Sequence, residues 1–247
     1  MILQRFYPLY FLTAVFFFLS SCNGNEEKTN TSKMSSDTTT TTAAMETTPP
    51  STIITSPQEM MAVTHKVANF AKWKASYDAH DSMRLANGVH NYVIGRGTQD
   101  TNTVLVAVKV DDMTKAKEFV KGPSLKQAMQ KGGVVGIPSF AFITMMFQDI
   151  AEINSTLRSR ITFTVKDWAA WQKAFEEGKQ ERIDNGITVR AYGHDADDNN
   201  KVTVVAAIMD SAKASAYWKS DMLKQRRAAS GVMGDPVRFM YSQVQRY

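Results

Sequence analysis

From residue 60 onward the chain alternates short apolar runs of two periods. Val104, Val106, Val108 and Val110 recur every second residue, the spacing of a strand with one buried face. Phe70, Trp73 and Tyr77 recur at i, i+3 and i+7, the spacing of one helical face. Read in order, the pattern predicts a strand at Val63 to Val67 and a helix opened by Asn69 and closed at Asn87-Gly88. Strands at Val89 to Arg96 and Val104 to Val110 follow. A second helix over Thr114 to Lys131 is interrupted near Gly122-Pro123, and a closing strand runs over Pro138 to Phe147.

The same pattern then repeats without a gap. Trp73 and Trp171 stand 98 positions apart (171 − 73), and about 23 of some 82 positions match at that offset. Asn87-Gly88 falls on Asn185-Gly186, Gly95 on Gly193, and Leu125-Lys126-Gln127 on Leu223-Lys224-Gln225. Two modules result, at 59–148 and 158–247, each β-α-β-β-α-β, the ferredoxin-like arrangement. Helices cover one face of such a sheet and leave the other bare. The expected fold class is therefore α+β, with two tandem modules packed sheet to sheet as an intramolecular pseudo-dimer.

The first 58 residues follow neither period. Residues 1–21 combine a weakly basic start with an apolar run from Phe6 to Leu19, too short for a comfortable membrane span, as in a signal peptide. Leu19-Ser20-Ser21-Cys22 resembles the bacterial lipobox, which implies lipidation of Cys22, membrane attachment through that anchor, and a place in the bacterial cell envelope. Asn23 after the cysteine resembles outer-membrane sorting. Residues 22–58, rich in Ser, Thr and Pro, offer no face to bury and are expected to form a disordered tether.

Composition removes several functions. A formal charge of +5 spread over both halves gives no basic face for nucleic acid. The single cysteine permits no intrachain disulfide, and the four histidines lack metal-ligand spacing. There is no phosphate-cradling glycine loop ahead of a helix.

Each module resembles the dimeric α/β-barrel superfamily, particularly its antibiotic-biosynthesis-monooxygenase-like members. The resemblance is carried by His65-Lys66-Val67, Phe70-x-x-Trp73-x-x-x-Tyr77, Asp112 with Ala116-x-x-Phe119, Pro123-Ser124-Leu125-Lys126-Gln127-Ala128-Met129, and Gly136-x-Pro138. It implies a ligand cleft between helices and sheet, with the intramolecular pair behaving as a monomer. Some oxygenases of the superfamily use an Asn, a Trp and a His. Here Asn69 suits helix capping, Arg227 stands near the position of the histidine, and Val120 replaces Trp218 in the first repeat, so neither half keeps the triad.

The candidate residues follow from strand alternation. His65 shares a face with Val63 and Val67, points toward the helices near Trp73, and is the best candidate for a general base or ligand donor. His65, Trp73, Tyr77 and Trp218 are the cleft candidates, and His90 and Tyr92 are candidates for the barrel interior. Two functions stay open: a tethered, non-catalytic module binding a small apolar or aromatic molecule or a partner protein, and a monooxygenase-like enzyme with its cleft in the first repeat. No cofactor is expected from motifs, while the resemblance leaves haem open.

Overall fold

The computed structural model describes residues 51–247. Cys22, the apolar leader and most of the expected tether lie outside the described residues. Among the described residues, strand structure begins before position 59. Strand β1 (Ile53–Ile54) pairs antiparallel with the end of the first repeat, Ile53 against Asp149 and Ile54 against Gln148. Two adjacent β-branched residues within a polar stretch explain this short pairing.

The first repeat comprises β2 (Gln58–Val67), α1 (Phe70–Ala79), α2 (Asp81–Ala86), β3 (Val89–Gly97), β4 (Thr103–Val110), α3 (Met113–Lys121), α4 (Pro123–Lys131) and β5 (Val134–Asp149). The second repeats that order as β6 (Leu157–Val165), α5 (Trp168–Glu177), α6 (Lys179–Asp184), β7 (Ile187–Asp195), β8 (Lys201–Ile208), α7 (Ser211–Lys219), α8 (Asp221–Ala229) and β9 (Val232–Arg246). Helix starts are fixed by side-chain caps. Asn69 Oδ1 accepts from the Lys72 amide at 2.9 Å, and Asp167 Oδ1 accepts from the Ala170 amide at 2.7 Å. Asn69 is thus occupied as a cap. The first long helix expected in each repeat is broken in two, at His80 and at the equivalent Gly178.

Within each repeat the sheet order is β5-β2-β4-β3 and β9-β6-β8-β7, every pairing antiparallel. The two sheets also join at both edges, β3 to β9 and β5 to β7, so the eight long strands close into a ring. The repeated glycine stands at each seam. A Cβ on Gly95 would lie 2.2 Å from the Tyr241 ring, and one on Gly193 would lie 2.2 Å from the Thr144 carbonyl oxygen. Only glycine admits such close approach.

The core accordingly divides in two kinds. Outside the ring, Trp73 (4% exposed) and Trp171 (2% exposed) anchor each helical layer onto its sheet. Inside it, Met60, Leu105, Ile143, Met145 and Tyr241 pack across the axis.

Candidate functional site

The cleft of the first repeat is built by β2, β3 and β4 below and α1 to α4 above. Alternation along β2 brings Met61, Val63 and His65 to the helix side, where Trp73, Phe119, Leu125 and Met129 face them around a cavity of about 70 Å³. His65 is 5% exposed, and its ring centroid lies 5.5 Å from that of Trp73. Neither ring nitrogen has a hydrogen-bond partner among the described residues. Burial pushes its pKa from 6.5 down to about 4, so the imidazole is neutral at pH 7 and one nitrogen keeps a free lone pair.

One end of the cleft is held rigid. Tyr77 Oη donates to Asn91 Oδ1 at 2.5 Å, and Arg84 Nε donates to the same oxygen at 3.0 Å. Arg84 also donates to Asp81 at 3.1 Å and to the Tyr77 carbonyl at 2.7 Å, with its guanidinium 3.7 Å from the centre of the Tyr77 ring. Burial pushes the Tyr77 hydroxyl above its ordinary range, so it stays protonated and acts as a donor.

His65, Trp73 and Tyr77 therefore meet in one cleft, while Trp218 does not join them. It lines the corresponding cleft of the second repeat, with the Arg238 guanidinium 3.7 Å from its ring centre. Tyr92 packs against the cluster inside the barrel. His90 does not enter that interior: its side chain is 43% exposed and its Nε2 meets the Asp111 carboxylate at 2.9 Å. A bulge between Asn91 and Val93 breaks the simple alternation that grouped His90 with Tyr92. Two further cleft residues, Ser76 and His80, were not singled out in the sequence, although His80 follows Trp73 by seven residues on the same helical face. His80 Nδ1 lies 2.6 Å from the Ser76 carbonyl oxygen.

The second cleft, of about 100 Å³, keeps the floor and changes the chemistry. Phe163 replaces His65, and Arg226, Arg227 and Arg238 replace Ala128, Met129 and Phe140. Glu181 accepts from Arg226 and, at 2.6 Å, from the Tyr217 hydroxyl. Burial brings Arg182 and Arg238 down to about 10, leaving both charged.

No protein-family model and no curated protein matches the chain. Solved structures do. An anthrone oxidase-like protein superposes with a TM-score of 0.54 at 11% identity, covering 79% of this chain and 95% of its own. A protein named as a candidate monooxygenase from Fusobacterium nucleatum subsp. nucleatum gives 0.53 at 12% identity, covering 78% and 94%. A candidate chlorite dismutase gives 0.50 at 15%, covering 76% and 95%. The chain has the dimeric α/β-barrel fold. Identities this low carry the fold alone, and chemistry has to be argued from the clefts.

Haem, which the resemblance leaves open, does not fit either helix–sheet cleft. Pockets for drug-sized ligands span roughly 300–1,000 Å³, whereas the two clefts measure about 70 and 100 Å³. His65 is also wedged against Trp73, with no room for a macrocycle beside its ring.

Proposed function

We propose that the first-repeat cleft binds a small, uncharged, largely apolar molecule with one hydrogen-bonding group directed at His65. We further propose that Cys22 anchors this binding unit to the bacterial cell envelope, in or near the outer membrane, as a monomeric pseudo-dimer. The observation that carries the binding reading is the pair of unpartnered, buried nitrogens of His65. A buried polar group without a partner costs about 1–3 kcal/mol, and a ligand hydroxyl or amine would remove that cost. The surrounding apolar wall supplies affinity for a ring or short chain, and the small cavity limits the ligand to about five water-sized groups at roughly 15 Å³ each.

Calorimetric titration of the full chain with pyrrole and 1-butanol, each of about five non-hydrogen atoms, tests the reading. Binding to the native protein and its loss in His65→Phe is the expected result; equal binding by both proteins would place the ligand elsewhere. For the anchor, labelled palmitate should enter the native chain in bacteria and fail to enter Cys22→Ser.

A second reading rests on the same nitrogens: a monooxygenase-like enzyme in which His65 takes a proton from an activated phenolic substrate. The names of the structural neighbours support this reading by analogy only. A pKa near 4 argues against it, because a general base works best with a pKa close to the working pH. Oxygen uptake with such a substrate, abolished in His65→Ala, would favour catalysis over binding.

A further inference from the structure

A second kind of cavity lies inside the ring of strands. It measures about 80 Å³ and is lined almost entirely by repeat-equivalent pairs, so it sits on the pseudo-twofold axis. Met60 and Arg158 form one such pair, Tyr92 and Arg190 another, and Gln148 and Arg246 a third. Duplication made this chamber symmetric in backbone, and the side chains have since diverged. Part of the lining is apolar, from Met60, Met145 and the Tyr92 ring, and part is cationic, with three guanidinium groups.

The cationic part is undercompensated. Asp149 is the sole carboxylate lining the chamber, and it already accepts from Arg190 Nη1 at 2.8 Å. Arg190 also donates to the Ala151 carbonyl, and Arg158 Nη1 donates to the Ser155 carbonyl at 2.5 Å and to the Leu157 carbonyl at 3.2 Å. Arg158 and Arg190 are 6% and 8% exposed. Gln148 is 2% exposed, and its amide nitrogen has no hydrogen-bond partner among the described residues. Arg246 is exposed at the rim and 5.6 Å from the Tyr92 ring centre, without an ion pair among the described residues. Burial lowers the pKa of both Arg158 and Arg190, and the neighbouring guanidiniums lower it further.

We propose that this axial chamber is a binding site for a short-chain carboxylate, its anionic head between Arg158, Arg190, Arg246 and the Gln148 amide and its aliphatic end against Met60 and Met145. Guanidinium groups match a carboxylate geometrically, and a charge-assisted contact in a buried setting is stronger than a neutral one. The volume admits about five water-sized groups at roughly 15 Å³ each, the size of propionate. The apolar part of the lining distinguishes this ligand from inorganic phosphate, which would leave Met60 and Met145 against a hydrated oxygen surface.

The test is titration of the full chain with acetate, propionate, butyrate and inorganic phosphate at constant ionic strength, read by calorimetry and by Tm. Propionate is expected to bind and to raise Tm with concentration. Arg246→Ala removes an exposed group that the fold does not use, so it should keep the unliganded Tm and weaken propionate at least about tenfold. Gln148→Glu should abolish binding by placing a negative charge at the head-group position. No effect of any carboxylate beyond that of chloride overturns the proposal, as does undiminished binding by Arg246→Ala. Binding of phosphate alone overturns the assignment of the apolar part. Arg238→Phe, which alters only the second-repeat cleft, should leave propionate binding unchanged; its loss there would move the anion out of the barrel.

Discussion

The two helix–sheet clefts share a frame and differ in charge. Both keep the tryptophan on the first helix, a leucine on the last helix (Leu125, Leu223) and an arginine stacked on an aromatic ring, Arg84 on Tyr77 at 3.7 Å and Arg182 on Phe175 at 3.8 Å. What changed is the chemistry lining them: a buried, unpartnered histidine in one, and in the other a set of guanidiniums that bond Glu181 and Ser159 and stack on Trp218. The indole and the leucine that pack the layers are kept, while Phe119 and Phe140 of the first cleft become Tyr217 and Arg238 in the second. A neutral, apolar cleft and a cationic one cannot prefer the same molecule.

The comparison can be broken most directly at its shared part. Trp73→Ala and Trp171→Ala should each destabilise the protein by about 3–5 kcal/mol, since each removes a fully packed indole. Chemical unfolding would measure both, and a large inequality would show that the frame is not equivalent after all.

Exchanging the divergent residue is the next test. Phe163→His would bury a new imidazole and should destabilise by about 1–3 kcal/mol, whereas His65→Phe should be neutral or stabilising by about 1 kcal/mol at pH 7. The two proteins should also differ with pH. In the native chain, His65 titrates near 6.5 when unfolded and near 4 when folded, so the unfolded state takes up the proton first. Stability is therefore undiminished above pH 7 and falls as pH drops from about 6.5 to about 4, by roughly 1.4 kcal/mol per unit. His65→Phe should flatten that window, and urea titrations at pH 7 and pH 5 would show whether it does.

A smaller effect sharpens the contrast in charge. Arg238→Phe restores the first-repeat residue to the second cleft, removes the bond to Ser159 and the stack on Trp218, and should change Tm by only a few degrees in thermal unfolding. At the bottom of the scale, Lys74→Ala removes an exposed ion pair to Asp78 (2.6 Å) and should cost no more than about 0.5 kcal/mol.

Much of this was legible in the chain. Alternation through Val63, His65 and Val67 placed the histidine beside Trp73, because β2 runs regularly through His65 on its β4 side. The helix caps and the Gly88 turn (φ 66°) were equally plain. Three features were not. Local pattern cannot see the bulge that separates His90 from Tyr92, because inserting one residue reverses facing without changing composition. Helix propensity gives no mark of the break at His80, and only the glycine at 178 hints at its counterpart. The axial chamber draws Arg158, Arg190 and Arg246 from three strands, and these converge only after both seams have closed. The repeated glycine was visible as a match, but its reason, close contact at each seam, belongs to the closed ring.

Those seams are unequal in one respect that concerns the order of assembly. At the β5–β7 seam Ile143 meets Asp195, while at the β3–β9 seam Gly95 meets Gln243. The first contact closes a loop of about 50 residues and the second one of about 150, an entropy difference of roughly 1 kcal/mol. Each repeat can settle its own sheet through contacts close in sequence, but the far seam must wait for both. The ring is thus expected to zip shut from the near side, with the last step bringing the final strand onto the first repeat.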